Sequence, residues 1–457
     1  MSLVTESAMN TETKIIVIDD DPTGSQTVHS CLLLTSWDVE TLTDALDDAS
    51  PLFFVLSNTR SVDAGQAAAV TRDICRNLKR AMDVRAARGR PVNPVVVSRS
   101  DSTLRGHYPV ETDVIEEELG PFDAHFLVPA FFEGGRITRD STHYVVVNGQ
   151  PVPVNKTEFA QDSVFGYRHA FLPAYVEEKT GGRIRAGDVE RFTLADIRGD
   201  IRHRLSGLSG DSCCVVDGEE QADLDAFTRQ LLEVAGSGRR FLFRSGASLL
   251  TSLADLAPQP VAAGDMAAFV RGGRPGVILV GSHVPTSTRQ LQHLIDNFSV
   301  APVLVDLNRL VEDPGGLRTE VRQKIRWAHE DGRTSVIYTS RAERRFASKT
   351  ERLAFGDQVS GFLMDLVRNL PEDIGFLISK GGITSNDVLG KGLSLRACRV
   401  LGQILPGCSV VRCPDEHPRF AGLPVVIFPG NVGGEAALAD AYRILAGDSS
   451  AMGRSAA

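Results

Sequence analysis

Short unbroken runs of Val, Ile, Leu and Phe alternate along this chain with longer stretches in which apolar residues recur at helical spacing. KIIVIDD (Lys14–Asp20), LFFVLSNTRS (Leu52–Ser61), PVVVSRSDST (Pro94–Thr103) and AHFLVPAF (Ala124–Phe131) read as strands, and AAAVTRDICRNLKRAM (Ala67–Met82) reads as a helix. Continuous apolar strands separated by helices predict a parallel sheet covered on both faces. In such sheets ligands bind beyond the carboxyl ends of the strands, so the polar clusters around Asp20, Arg60 and Asp101 are expected to share one edge.

From Phe131 to Gly182 the pattern is less regular and contains a hairpin signal, HYVVVNGQPV, which predicts an insertion or lid. SCCVVD and RFLFRSG resume the first series of strands. The Pro/Gly/Ala-rich stretch 258–275 reads as a linker between an N-terminal domain over 1–257 and a C-terminal domain over 276–457. A second α/β series follows it, with GVILVG, APVLVDL, TSVIYTSR, IGFLISK, CSVVRC and PVVIFPG as strands. The fold class expected is α/β, with two domains, each a mainly parallel sheet flanked by helices.

Length agrees with two domains, since 457 residues exceed what one core organises. A net charge of −9 argues against a general nucleic-acid binder. No apolar run reaches the roughly 18–20 residues of a membrane span, and the polar residues 1–14 lack the apolar core of a secretory signal and are expected to be a disordered leader. Seven scattered cysteines without C-x-x-C spacing predict buried, reduced thiols and a cytoplasmic protein. No His/Cys/Asp cluster predicts a protein-held metal.

Five stretches carry candidate chemistry. Asp19-Asp20-Asp21-Pro22-Thr23 places three carboxylates after a strand, and their mutual repulsion is costly unless a ligand or cation offsets it. The same residues satisfy D-x-D-x-T, in which Asp19 would be the nucleophile of an aspartyl-phosphate phosphatase. An acidic strand-to-helix turn, with Asp21 or Thr23 capping the helix, is the plainer alternative. SRSDSTLRGHYPVE gathers Arg99, Ser100, Asp101, Ser102, Thr103 and Arg105, a set suited to a polyhydroxylated anion: arginine forks grip a carboxylate and hydroxyls meet hydroxyls. His107 reads as structural. In the second half, VGSHVPTSTRQ, SKGGITSNDVL and FPGNVGGEAAL each run strand, glycine turn, helix, a layout that cradles nucleotide phosphate. Neither a G-x-x-x-x-G-K-[ST] loop nor a dinucleotide fingerprint is present.

Together, DDPTG (Asp20–Gly24), RSDSTLRG (Arg99–Gly106), GSHVPTSTRQ (Gly281–Gln290), GGIT (Gly381–Thr384) and FPGNVG (Phe428–Gly433) resemble, in order, the motifs of the four-carbon acid-sugar kinase family. The resemblance implies an N-terminal acid-sugar domain, a C-terminal ATP domain, and phosphorylation of the terminal hydroxyl of threonate, erythronate, a 3-oxo-tetronate or a close relative. It implies ATP with Mg2+ as cofactor and a small sugar acid as partner, with no nucleic acid or membrane and with a homodimer allowed. By position, Asp20, Arg60, Arg99, Ser100, Asp101 and Ser102 would bind the acid. Ser282, Gly381, Gly382, Ile383, Thr384 and Gly430 would bind ATP. Asp20 is the first choice to accept the hydroxyl proton and Asp101 the second. The chain departs from the motifs at Val284 (usually Ser), Ile383 (Asp), Phe428 (Lys) and Arg99 (Lys). A sugar-acid sensor that binds without turnover is the alternative from another class.

Overall fold

The computed structural model describes residues 12–341 and 349–447. The leader expected at 1–14 lies outside the described residues except for Glu12, Thr13 and Lys14. Those three are the start of a strand, Glu12–Asp19, with Lys14 fully buried and donating to the carbonyls of Asp48 and Ser50.

The contacts divide the chain into two compact units. The first comprises the chain through Asp19 together with Trp37–Ala254; the second comprises Asp20–Ser36 and the chain from Asp255 onward. Of the three aspartates, Asp19 therefore belongs to the first unit, while Asp20 and Asp21 belong to the second.

The first unit is built on a parallel sheet. Its order is Leu52–Leu56, Glu12–Asp19, Val92–Arg99, Phe241–Ser245, Ala124–Val128, Ser212–Val216 and Glu190–Phe192. Ile15 to Ile18 are buried on both faces, which is why these strands read as unbroken apolar runs. Long helices flank them; Ala64–Ala87 starts at a capping box formed by Asp63 and Gln66. From Glu12–Asp19 the chain order runs to one side, to Leu52–Leu56, and then returns to Val92–Arg99 on the other. The switch point lies between Glu12–Asp19 and Val92–Arg99, whose last residues, Asp19 and Arg99, are register partners.

The segment expected as an insertion or lid is packed in place. Arg136–Arg139, Thr142–Val147 and Gln150–Pro153 form a three-stranded antiparallel sheet, turning through Asn148-Gly149, both at positive φ as a two-residue hairpin requires. Val145, Val154, Tyr167, Leu172 and Tyr175 then share one apolar cluster with Leu104 and Tyr108. The reason is the segment's apolar content, which needs burial and finds it against the Asp101–Tyr108 turn.

The second unit has five parallel strands, in the order Ala301–Val305, Ser335–Thr339, Val277–Val280, Leu377–Lys380 and Pro424–Phe428. Cys408–Arg412, Ala397–Leu405 and Leu32–Leu34 continue the order antiparallel. Ala397–Leu405 alternates buried and half-buried residues, the signature of a strand with one face covered. Residues 258–275 carry a short helix, Ala263–Phe269, whose Met266 is fully buried in this unit's core. The seven cysteines are buried, none of them in a disulfide. Among the described residues, no helix is long and apolar enough to cross a membrane.

Candidate functional site

In the first unit the polar turns that follow Leu52–Leu56 and Val92–Arg99 stand at the same sheet edge, on either side of the strand ending at Asp19. After Leu56 the chain turns through Asn58 at φ 51, and the Asp19 carbonyl accepts from Ser57 N at 2.9 Å, Ser57 Oγ at 2.8 Å and Asn58 N at 3.3 Å. These bonds hold the Thr59–Ser61 turn, and hence Arg60, against the end of the first strand. After Arg99, Ser100 N donates to Ser245 O at 2.9 Å and Ser100 Oγ to Arg105 O at 3.1 Å. That leaves the Ser100 oxygen free to accept.

Asp101 is the centre of this turn. Its Oδ2 accepts from Arg105 Nε at 2.6 Å and from the Thr103 hydroxyl. Burial pushes its carboxyl up, but the charges of Arg60 and Arg105 and these two hydrogen bonds outweigh that, holding it well below the usual carboxylate range. Arg136, from the three-stranded sheet, also feels Asp101; burial lowers its own pKa and Asp101 opposes the shift. Arg99 is buried and donates to Ser100 O. Among the described residues, Arg99 Nε and Arg136 Nε have no hydrogen-bond partner. Buried guanidinium groups with donors to spare suit an anionic ligand.

The turn is locked from the insertion side. Tyr167 OH donates to Thr103 O at 2.6 Å and Tyr175 OH to Leu104 O at 2.9 Å, while Leu104 sits at φ 67. His143 is fully buried, and burial depresses its pKa to about 4. As a neutral ring it donates from Nε2 to Ser102 O at 2.8 Å and accepts from Thr138 Oγ1 at Nδ1, 2.9 Å away. His107 is structural, with Nε2 3.1 Å from Thr59 O and 3.0 Å from Val62 O. Beneath the turn, Arg244 donates to Ser98 Oγ at 2.6 Å and pairs with Glu111, both side chains buried; Glu111 also accepts from the Thr59 hydroxyl. One network thus ties the Arg60 turn to the Arg99 strand. Arg136, His143, Glu111 and Arg244 were not singled out from the sequence. Glu111 was visible at the end of the SRSDSTLRGHYPVE stretch, but nothing local marked its partner Arg244.

In the second unit three glycine turns converge. The chain order departs from Val277–Val280 to one side and resumes at Leu377–Lys380 on the other, so the switch point lies between them. There Gly281 N and Ser282 N both lie 3.2 Å from Lys380 O, and Gly381 N donates to Phe428 O at 2.8 Å. Ser287 Oγ reaches Ser282 Oγ at 3.0 Å and Gly430 O at 2.8 Å. A side chain on Gly281 would collide with Thr384, and one on Gly430 would begin 2.8 Å from Ser282 Oγ; Gly381 is at φ 125. Ser282, Gly381, Thr384 and Gly430 are therefore brought together, with glycine required by the closeness of the turns. Gln290 holds the last turn through the carbonyls of Val432, Gly433 and Gly434. Ile383 and Val284 stand exposed beside these turns, at 67% and 41%.

Asp20 is buried. Asp21 accepts from Thr23 N at 2.9 Å and Thr23 Oγ1 at 2.5 Å, which makes an acidic turn and not a helix cap. Its carboxylate oxygens lie 3.6 and 3.8 Å from where a side chain on Gly382 would begin. Asp19 has no exposed surface, which disfavours it as a nucleophile toward phosphorus. Among the described residues, no group of three or more His, Cys, Asp or Glu stands ready to hold a metal.

The comparisons divide the chain near the same place, except that residues 20–36 fall within the first match. Residues 15–253 match the family model of a sugar-binding N-terminal domain, and residues 277–438 that of a nucleotide-binding C-terminal domain. No curated protein matches the chain. A solved structure from Salmonella typhimurium LT2, to which a tRNA synthase role has been ascribed, is similar in fold: TM-score 0.69 at 18% identity, over 94% of this chain and 98% of that one. The Haemophilus influenzae protein HI1011, a DUF1537 protein, gives a TM-score of 0.63 at 17% identity, over 94% of this chain and 100% of that one.

Proposed function

Because the chain belongs to the family that joins a sugar-binding N-terminal domain to a nucleotide-binding C-terminal domain, at family level the four-carbon acid-sugar kinases, we propose that it is an ATP-dependent kinase acting on the terminal hydroxyl of a four-carbon sugar acid or a close relative. The observation that carries the acceptor is the surplus of guanidinium groups around Asp101, two of them with buried donors to spare. A carboxylated, hydroxylated ligand answers both the charge and the donors.

Arg60 and Arg99 hold the acid's carboxylate, and the oxygens of Ser100 and Ser102 meet its hydroxyls. Asp101 is strongly held in its ionised form, which makes it a weak base; its part is to aim Arg60 and Arg105. Asp20 is the residue proposed to take the proton of the terminal hydroxyl. ATP supplies the phosphoryl group, with Mg2+ neutralising its charge. Ser282, Gly381–Thr384 and Gly430 would line the nucleotide, and Asp21, beside Gly382, is the carboxylate that would reach its Mg2+, an ion that commonly uses one or two carboxylates plus phosphate oxygens. Phosphoryl transfer draws mostly on positioning and charge neutralisation, and these residues offer both.

One observation favours a second reading. Exposed apolar Ile383 and Val284 stand where the resembled motifs carry Asp and Ser, which suits a sensor that binds both ligands without turnover. An ADP-release screen across four- to six-carbon sugar acids separates the two. Acid-dependent ADP release supports the kinase; thermal stabilisation by acids without ADP release supports the sensor.

A further inference from the structure

Lys380 is a fully buried cation at the meeting point of the second unit's glycine turns. Its Nζ donates to Pro429 O at 2.5 Å and to Gly430 O at 3.2 Å, and lies 4.0 Å from the centroid of the Phe428 ring. Strand register sets it directly beside both Phe428 and Val280. Among the described residues, no Asp or Glu pairs with it. The titratable group facing it is the Cys408 thiol, on the antiparallel strand one beyond Pro424–Phe428, which burial pushes up to about 12 and so keeps neutral. At the adjoining Gly281 turn, His283 bonds to Thr339, with its pKa lowered by burial and by Arg341. Arg341 itself donates to the carbonyls of Ser282 and Val280. Arg341 thus adds positive charge; Asp21, beside Gly382, brings a carboxylate to the same turns but is bonded to Thr23 and does not pair with Lys380.

A buried ammonium is ordinarily paired with an acid or shifted toward neutrality. Lys380 has the second fate in part: burial lowers its pKa to about 8. The missing counter-charge is what an anionic ligand at this switch point would bring.

We propose that Lys380 is a positioning residue of the nucleotide site, fixing the Pro429–Gly430 turn and supplying the positive charge that favours a bound nucleotide's phosphates. The proposal rests on the nucleotide-binding reading of the second unit and adds to it a residue and a pH dependence. Phosphate binding would raise the Lys380 pKa, so affinity for a nucleoside diphosphate should be full below about pH 8 and fall above it. Affinity for adenosine, which carries no phosphate, should be flat.

Calorimetric titration of the full chain with ADP and with adenosine at pH 7, 8 and 9 tests this. For the native chain, ADP affinity is expected to fall by up to about tenfold per pH unit above 8. Lys380→Met should lose roughly tenfold or more in ADP affinity at pH 7, the size of a charge-assisted contact, keep its adenosine affinity and lose the pH dependence. Lys380→Arg, charged throughout, should retain ADP binding without the fall to pH 9. Equal losses for ADP and adenosine in Lys380→Met, or a flat native ADP profile, would overturn the proposal and leave a merely structural lysine. Should Lys380→Met not fold, the native profile and Lys380→Arg still decide it. Binding of neither ligand by the native chain would instead refute the nucleotide reading, and this inference with it.

Discussion

Arg105 Nε lies 2.6 Å from Asp101 Oδ2, an ion pair made four residues apart within one turn. It fixes the shape of the loop that follows the Val92–Arg99 strand, where the charge of Arg60 also acts on Asp101.

Replacing Arg105 by Met should therefore weaken sugar-acid binding without touching adenine nucleotide binding. It should also change the acid limb of stability. Asp101's carboxyl is depressed in the folded chain, so its contribution is present above the unfolded value of about 4 and is lost as pH falls toward the folded value. Asp162, 3.9 Å from Arg105 and also depressed, adds in the same direction. Thermal melting should show the variant below the native chain at pH 7, with the gap narrowing at pH 2.5.

His143 gives a second pH dependence. Its folded pKa of about 4 lies below the unfolded value of about 6.5, so the unfolded chain binds more protons between the two. Stability is full above about pH 6.5 and falls as pH drops toward 4, by about 3 kcal/mol at most. Denaturant unfolding of His143→Gln should show a shallower fall over that window. An unchanged slope would mean that His143 does not carry it.

The buried Arg244–Glu111 pair predicts strong coupling. Arg244→Met alone leaves an uncompensated carboxylate and should cost about 3–5 kcal/mol. Adding Glu111→Gln should restore part of that. Urea unfolding of the two single variants and the double variant measures the coupling directly.

Much of the scaffold was legible in the chain. KIIVID, PVVVS and FLISK are unbroken apolar runs because both faces of a parallel strand are covered, and that pattern points to the strand ends where Arg60, Arg99–Ser102 and Gly381–Thr384 stand. What was not legible depends on partners distant in sequence. Arg136 and His143 come from the stretch read as an insertion or lid, and only its apolar residues burying against Leu104 and Tyr108 bring them to the Asp101 turn. Arg244 reads as one polar residue in an apolar strand, and only its pairing with Glu111, 133 residues away, gives it a role. The grouping of Asp20 and Asp21 with the second unit was also hidden, because nothing local marks the passage from one unit to the other after Asp19.

Gly281→Ala tests the packing of the nucleotide turns. Its Cβ would collide with Thr384, so the variant should lose about 1–3 kcal/mol and weaken ADP binding. Thr384→Ala on top of it should recover part of the stability, read by thermal melting beside an ADP titration.

Phosphoryl transfer to a sugar acid is visible in phosphorus-31 NMR of the full chain with ATP, Mg2+ and a panel of four-carbon sugar acids. A new phosphomonoester resonance is expected, growing in step with ADP for at least one acid and lost in Asp20→Asn while that variant still binds ADP. ADP appearing only with inorganic phosphate, or no ATP consumption with any acid that stabilises the protein, would contradict that transfer.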